Sequence, residues 1–373
     1  MSGDTPLQGP RRALPGDLSS ILELADCVFM QGRTGIMGDL FPRLFHKDNL
    51  KNLFVFSENG RVVSLVGMVE RKARIADCEL HVACMGAVST YEEYRGRGLS
   101  SQLVQTALDK ARADGVDVML ISGDRTLYRR IGAVPVGCDF RCVLDADVLN
   151  RLHNPSLRVR KAHAGDLAAC ATAYDEKPAR FVRPMGEWAD RLNSKAAAEG
   201  WHHLLIVEAA GVICGYLAVN RAPAWPHGEV AEFGGTPAAI AGALRSMCDT
   251  TGETSLKITL QWHNDALKAL LSRAGAKFTP VSVDGTWTIV NFARLMERLR
   301  PWIEQRTGKA AAQSLECNED EETCTLSMLG ETLTLSRAET VQMIFGTPEG
   351  LTLSPPFRNV FPAPTIAYGI GYV

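Results

Sequence analysis

The chain has 373 residues, enough for two or three domains, and its 46% hydrophobic and 22% charged residues are ordinary for a soluble globular protein. A net charge of −2 gives no reason to expect nucleic acid or an anionic membrane as partner, and no apolar run approaches the ~20 residues that span a bilayer. Met1 to Asp17 is polar without an apolar core, unlike a signal peptide. Ten scattered cysteines form no Cys-x-x-Cys pair, and the histidines show no metal spacing. They read as reduced core residues of a cytoplasmic protein that holds no metal.

In chain order, Arg12-Ala13-Leu14-Pro15-Gly16-Asp17-Leu18 stands before an apolar-periodic helix, with Asp17 placed to cap it. The loop from Phe29 to Phe41, with Gln31, Arg33 and Asp39, follows that helix. Leu53 to Met68 reads as two strands joined at Asn59-Gly60. A strand over Leu80–Val88 leads through Ser89-Thr90 into Tyr94-Arg95-Gly96-Arg97-Gly98-Leu99-Ser100-Ser101. Beyond it, Leu99, Leu103, Val104, Ala107, Leu108 and Ala111 share one helical face, and Val116–Ile121 is a continuous apolar run suited to a buried strand.

The same signals then return. Lys161-Ala162-His163-Ala164-Gly165-Asp166-Leu167 repeats the first segment, Leu204–Val219 repeats the strand pair around Gly211, and Leu270 to Ala276 matches Leu127 to Ala133. Three ordered matches predict a duplicated α/β unit. The second copy carries Phe233-Gly234-Gly235-Thr236-Pro237 in place of the arginine-bearing loop and Leu271 opposite Tyr128. All six tryptophans fall at or after Trp188. The expected arrangement is an active first lobe and a structural second one.

A third region follows Trp287: a helix from Asn291 to Arg298, paired strands over Thr323–Met328 and Glu331–Leu335, and a helix over Ser336–Phe345. Cys317 and Cys324 flank an acidic turn and could face each other across a hairpin, a disulfide being the lesser reading. Asn359 to Val373 carries no charged side chain, so the tail should be docked against protein.

The Arg95–Ser101 loop carries the chemistry. Gly96 and Gly98 suit a sharp turn and a close backbone approach, and the amides that open the next helix offer unpaired donors and partial positive charge. Such a loop cradles a pyrophosphate, though read alone it is also a basic turn before an ordinary helix. Neither the P-loop nor the dinucleotide fingerprint fits.

Arg95-Gly96-Arg97-Gly98-Leu99-Ser100 between strand and helix resembles the acetyl-CoA loop of GNAT acyltransferases, with Ser100 in the last small position. Ser122-Gly123 leading into Tyr128–Ala133, together with the duplication and the third region, resembles the Eis (enhanced intracellular survival) type of acetyltransferase. The resemblance implies two tandem GNAT-like mixed-sheet α/β lobes, over residues 1–150 and 151–294, and a sterol-carrier-like α+β domain over 295–373 that ends in a docked tail. It implies an acetyl-CoA-dependent N-acetyltransferase acting on a primary amine: a polyamine, an aminoglycoside-like molecule or a lysine side chain. Val88 and Thr90 would pair with the pantetheine arm, and Arg95, Gly96, Arg97, Gly98, Ser100 and Ser101 would hold the pyrophosphate. Tyr128 would protonate the leaving thiolate, and the terminal carboxylate of Val373 would act as base. Asp39 borders the expected acceptor pocket, although a solvated loop aspartate is the commoner case. A homo-oligomer is implied as well, hexamers among the forms. A non-catalytic acyl-CoA sensor and a lipid carrier using the last domain are the rival readings.

Overall fold

The computed structural model describes residues 6–194, 202–221, 227–346 and 352–371. They form two compact units: the chain up to Val136 together with Asp284–Ala363, and Gly137–Val283 together with the segment from Pro364.

The first unit is built on β1 (Gln8–Arg12), α1 (Leu18–Phe29), α2 (Met37–Leu40), β2 (Leu53–Glu58), β3 (Arg61–Ile75), β4 (Cys78–Thr90), α3 (Leu99–Ala113), β5 (Val118–Ile121) and α4 (Thr126–Arg129). The five strands lie side by side in chain order, and Thr286–Ile289 adds to β5 antiparallel. Asn59 and Gly60 both have positive φ, 50° and 76°, which gives the β2–β3 hairpin the turn twist its strands need. Only β4 and β5 run parallel, which α3 makes possible as the crossover. The predicted face of α3 is the one buried, with Leu103 and Ala107 fully sequestered against β2, β3 and β4. A three-stranded meander, Glu316–Glu319, Thr323–Met328 and Glu331–Ser336, and the helix Arg337–Phe345 complete this unit. Ser336 caps that helix through a capping box with Glu339.

The second unit repeats the plan. Its sheet runs Thr279–Val281, Asp139–Leu144, Leu256–Leu260, Gly228–Gly235, Val212–Asn220, His202–Ala209, Leu157–Lys161. The parallel pair is again the one joined by a 15-residue helix, here Pro237–Thr251.

Packing and chain order part company at the ends of the copies. Asp139–Leu144 belongs to the second sheet and Thr286–Ile289 to the first, so the copies exchange their last strands across the boundaries expected at residues 150 and 294. The meander and the helix after it pack into the first unit, where Phe345 lies 4.9 Å from Trp287.

Asp17 does not cap α1 as expected. A 3-10 turn, Pro15–Asp17, precedes the helix and turns the carboxylate back, so it accepts the Leu14 N–H (2.7 Å) and a two-point Arg11 contact (2.6 and 2.9 Å). Asp166 repeats this with the His163 N–H (2.8 Å) and Arg160 (2.7 and 2.9 Å). The Arg160 hydrogen bonds hold the Asp166 carboxyl at about 2. All ten cysteines are free. Cys317 pairs in register with Leu326 and Cys324 with Glu319, so the two thiols do not stand opposite each other.

Candidate active site

The site begins where two strands separate. β4 and β5 pair from Val82–Val118 to Met85–Ile121, and the last link is the Ser122 N–H to the Met85 carbonyl, 3.1 Å. Past Met85, β4 remains paired only with β3. Ala87 and Val88 stand opposite the single residue Val66, and Ala87 adopts φ 52°, a left-handed backbone that a side chain disfavours. This bulge re-aims the strand. Because the Tyr91 N–H bonds to Val63 on β3 (3.1 Å), the alternation of the ladder turns the Val88 and Thr90 backbone groups toward the edge β5 has left. Arg95 Nε, 3.3 Å from the Thr90 carbonyl, reaches that edge.

Immediately beyond lies the loop. Gly96 and Gly98 have φ of 78° and 73°, and a Cβ on either would meet nothing within 4 Å, so their surroundings are open. Gly98 is the N-cap of α3 and contributes no side-chain cap. The first helical bond is Gln102 N–H to the Gly98 carbonyl (3.2 Å), which leaves the amides of Leu99, Ser100 and Ser101 without helical acceptors. Donor-rich, uncapped and flanked by exposed Arg95 and Arg97, this terminus is suited to a pyrophosphate. Arg97 is braced by the Glu93 carbonyl (3.1 Å) and the Tyr94 ring (4.8 Å). A hydroxyl chain fixes the loop to the sheet: Ser64 to Thr90 at 2.7 Å and Thr90 to Ser100 at 2.8 Å. Ser64 was not singled out in the sequence. A hydroxyl inside an apolar strand, now fully buried, was its signal.

Tyr128 lies at the end of the opened strand. A Cβ on Gly123, just past β5, would sit 3.5 Å from the Tyr128 ring. The Gly123 carbonyl is itself fixed by Thr286 Oγ1 at 2.9 Å. Tyr128 is 3% exposed, and burial pushes its phenol up from its ordinary value while the Arg125 charge pulls it back in part. The group therefore stays protonated at neutral pH.

The chain after α1 is organised by a residue the sequence reading missed. Asp26, 2% exposed, accepts the backbone N–H groups of Gly35 (2.6 Å), Ile36 (3.2 Å) and Met37 (2.8 Å). An aspartate among Ile21, Leu24 and Ala25 on the buried side of α1, just before a glycine-rich loop, was the available signal. Asp39 is half-buried on α2, a different element from the β4–α3 group. Thus Val88, Thr90, Arg95, Gly96, Arg97, Gly98, Ser100 and Ser101 form one group with Tyr128 at its strand end, and Asp39 belongs to a separate element. Val373 lies outside the described residues.

Among the described residues no three His, Cys, Asp or Glu side chains are grouped to hold a metal, and no helix is long and apolar enough to cross a membrane.

With this geometry in view, the comparisons are specific. The family profile described as "Acetyltransferase (GNAT) domain" matches residues 10–136, which hold the bulge, the loop, α3 and Tyr128. The chain carries a GNAT acetyltransferase domain there. Over nearly its whole length it is similar in fold to a GCN5-related N-acetyltransferase from Kribbella flavida. That pair shares 17% identity over 97% of this chain and 98% of the other, at a TM-score of 0.67. It is also similar to Eis1 from Mycobacterium abscessus (14% identity, 97% and 99% covered, TM-score 0.62). A probable N-acyltransferase from Enterococcus faecalis compares at 14% identity, 91% and 86% covered, TM-score 0.63. No curated protein matches the chain by sequence.

Proposed function

We propose that this protein transfers an acetyl group from acetyl-CoA directly to a primary amine. The observation that carries the reading is the vacated β4 edge at Val88–Thr90 running straight into the uncapped terminus of α3. Backbone groups of Val88 and Thr90 would pair with the pantetheine amides as an added strand. The amides of Gly96 to Ser101 would take the pyrophosphate, with Arg95 and Arg97 supplying charge. The open space around Gly96 and Gly98 fits that group. When bound, acetyl-CoA supplies the thioester; the protein supplies position and proton management.

Two protons must move. A lysine-type amine of pKa ~10.4 is free base in about one part in ~2,500 at neutral pH, so a base at the acceptor nitrogen gains much. We assign that role to the terminal carboxylate of Val373, as the Eis-type resemblance suggests. The leaving thiolate takes its proton from the Tyr128 hydroxyl, which burial keeps in the donor form. Acceptors of the polyamine, aminoglycoside or lysine type fit this scheme, with Asp39 at the acceptor side drawing the cation. The meander and helix of the third region are assigned a sterol-carrier-like scaffold role.

Tyr128→Phe discriminates between an enzyme and a sensor that only binds acyl-CoA. In the enzyme, kcat falls by about 10²-fold or more while the Kd for acetyl-CoA is unchanged. An unchanged kcat would remove Tyr128 from the reaction. Adding a few residues after Val373 should likewise depress kcat and spare acetyl-CoA binding; full turnover in the extended chain would exclude the terminal carboxylate as base.

A further inference from the structure

The second unit opens in the same way as the first, and its opening is filled. The strands Gly228–Gly235 and Leu256–Leu260 pair in parallel from Gly228–Leu256 to Val230–Ile258 and then separate. At that point Gly228–Gly235 carries one extra residue against its other neighbour: Ala218 faces Glu232 and Val219 faces Val230, leaving Ala231 over. A bulge beside a vacated strand edge is the device that opens the acetyl-CoA cleft of the first unit. Here the chain's own segment Pro364–Gly371 lies across the gap. Gln261, one residue beyond the second strand, donates from Nε2 to the Thr365 carbonyl at 2.6 Å. Glu232, on the first strand, accepts the Ile370 N–H at 3.4 Å. What remains open beside Ala367, bordered by Lys177, Glu232, Phe233 and Gln261, is a cavity of about 30 Å³, room for roughly one water.

Glu232 is equipped to hold a partner. It is 5% exposed and receives Arg183 in a two-point contact (2.8 and 2.9 Å) and the Tyr216 hydroxyl (2.8 Å). Arg183 lies over the rings of both Tyr174 and Trp188, at 4.0 and 4.5 Å, and Trp188 packs edge-on against both Tyr174 and Tyr216. Burial alone would push the Glu232 carboxyl up, but the Arg183 charge overrides it and holds the group at about 2. The segment fits this support closely. Gly369 has φ 52°, and a Cβ there would collide with Glu232 Oε2. Ile370 packs against the Trp188 cluster.

We propose that the second unit's cleft is a clamp for the C-terminal segment: where the first unit admits a cofactor arm, this one binds Thr365–Ile370, with Glu232 as the positioning residue. The catalytic consequence rests on the proposed role of the Val373 carboxylate, which a segment held at Ile370 would help to place.

The test uses the full chain carrying Gly369→Ala, which disturbs the segment and leaves Glu232 and Arg183 intact, beside Glu232→Gln. Hydrogen exchange over residues 364–371 reports the clamp; kcat and the Kd for acetyl-CoA report its consequence. Clamp and base together predict exchange in that segment faster by about tenfold or more in Gly369→Ala, kcat down by about tenfold, and acetyl-CoA binding within about twofold. Unchanged exchange in both variants overturns the clamp. Faster exchange with unchanged kcat upholds the clamp and overturns the terminal carboxylate as base. Two acetyl-CoA sites per chain would also overturn the clamp, since its cleft would then be free.

Discussion

The two 15-residue helices that follow the opened strands share a fold position and differ in everything a phosphate would feel. Leu99–Ala113 starts at Gly98, left-handed, uncapped and surrounded by open space. Pro237–Thr251 starts at Thr236, whose hydroxyl accepts the Ala239 N–H (3.3 Å), and its first residue is a proline with no N–H to give. The glycines before it are packed rather than exposed: a Cβ on Gly234 would strike the Tyr216 ring, and one on Gly235 the Cys214 carbonyl. A helix start left unsatisfied costs stability and offers a site, whereas one satisfied internally is stable and inert. Tyr128 and Leu271 make the same contrast, a buried tyrosine just past the opened strand against a buried leucine in the other copy.

The contrast can be broken or sharpened by substitution. Gly98→Val places a β-branched side chain in a left-handed backbone. Strain of about 1–3 kcal/mol predicts acetyl-CoA affinity weakened by roughly 10–100-fold in a calorimetric titration that gives one site per chain for the parent protein. Full affinity in that variant would move the pyrophosphate away from α3. Asp26→Ala deprives three backbone amides of their acceptor, each unmade bond costing about 1–3 kcal/mol, and should loosen the loop over 35–37. Steady-state kinetics should show KM for the amine raised about tenfold with acetyl-CoA binding unaltered; a change confined to acetyl-CoA would show that the loop serves the cofactor. The smallest effect belongs to Thr236→Ala. Losing this cap should cost about 1 kcal/mol, a Tm lower by about 2–4 °C, with acetyl-CoA binding untouched. A new acetyl-CoA site appearing there would mean that capping alone had silenced the second copy.

Much of this was legible from local pattern. The face of α3, the Asn59-Gly60 turn, Ser336 at a helix start and the two loop glycines are each specified by neighbouring residues, so periodicity and turn chemistry find them. Features that depend on which of several partners wins, or on distant ones, were not legible. Asp17 stands where a cap belongs, yet Arg11 and the Leu14 amide claim its carboxylate. The strands Asp139–Leu144 and Thr286–Ile289 read as strands but carry no label for the sheet they join. Glu232 sits on a strand where alternate residues are half-buried, and only the folded chain brings Arg183, Tyr216 and Ile370 to it.

The strand exchange also bears on synthesis. β5 is buried along its full length, and the neighbour that covers its far edge, Thr286–Ile289, leaves the ribosome more than 160 residues later. Until then the first sheet ends in a bare apolar edge, the kind that invites pairing with another chain. Residues 10–136, although they carry the family's signature, are therefore not a portable catalytic module. A fragment ending there would expose Val118–Ile121 and associate with itself unless the missing strand were supplied.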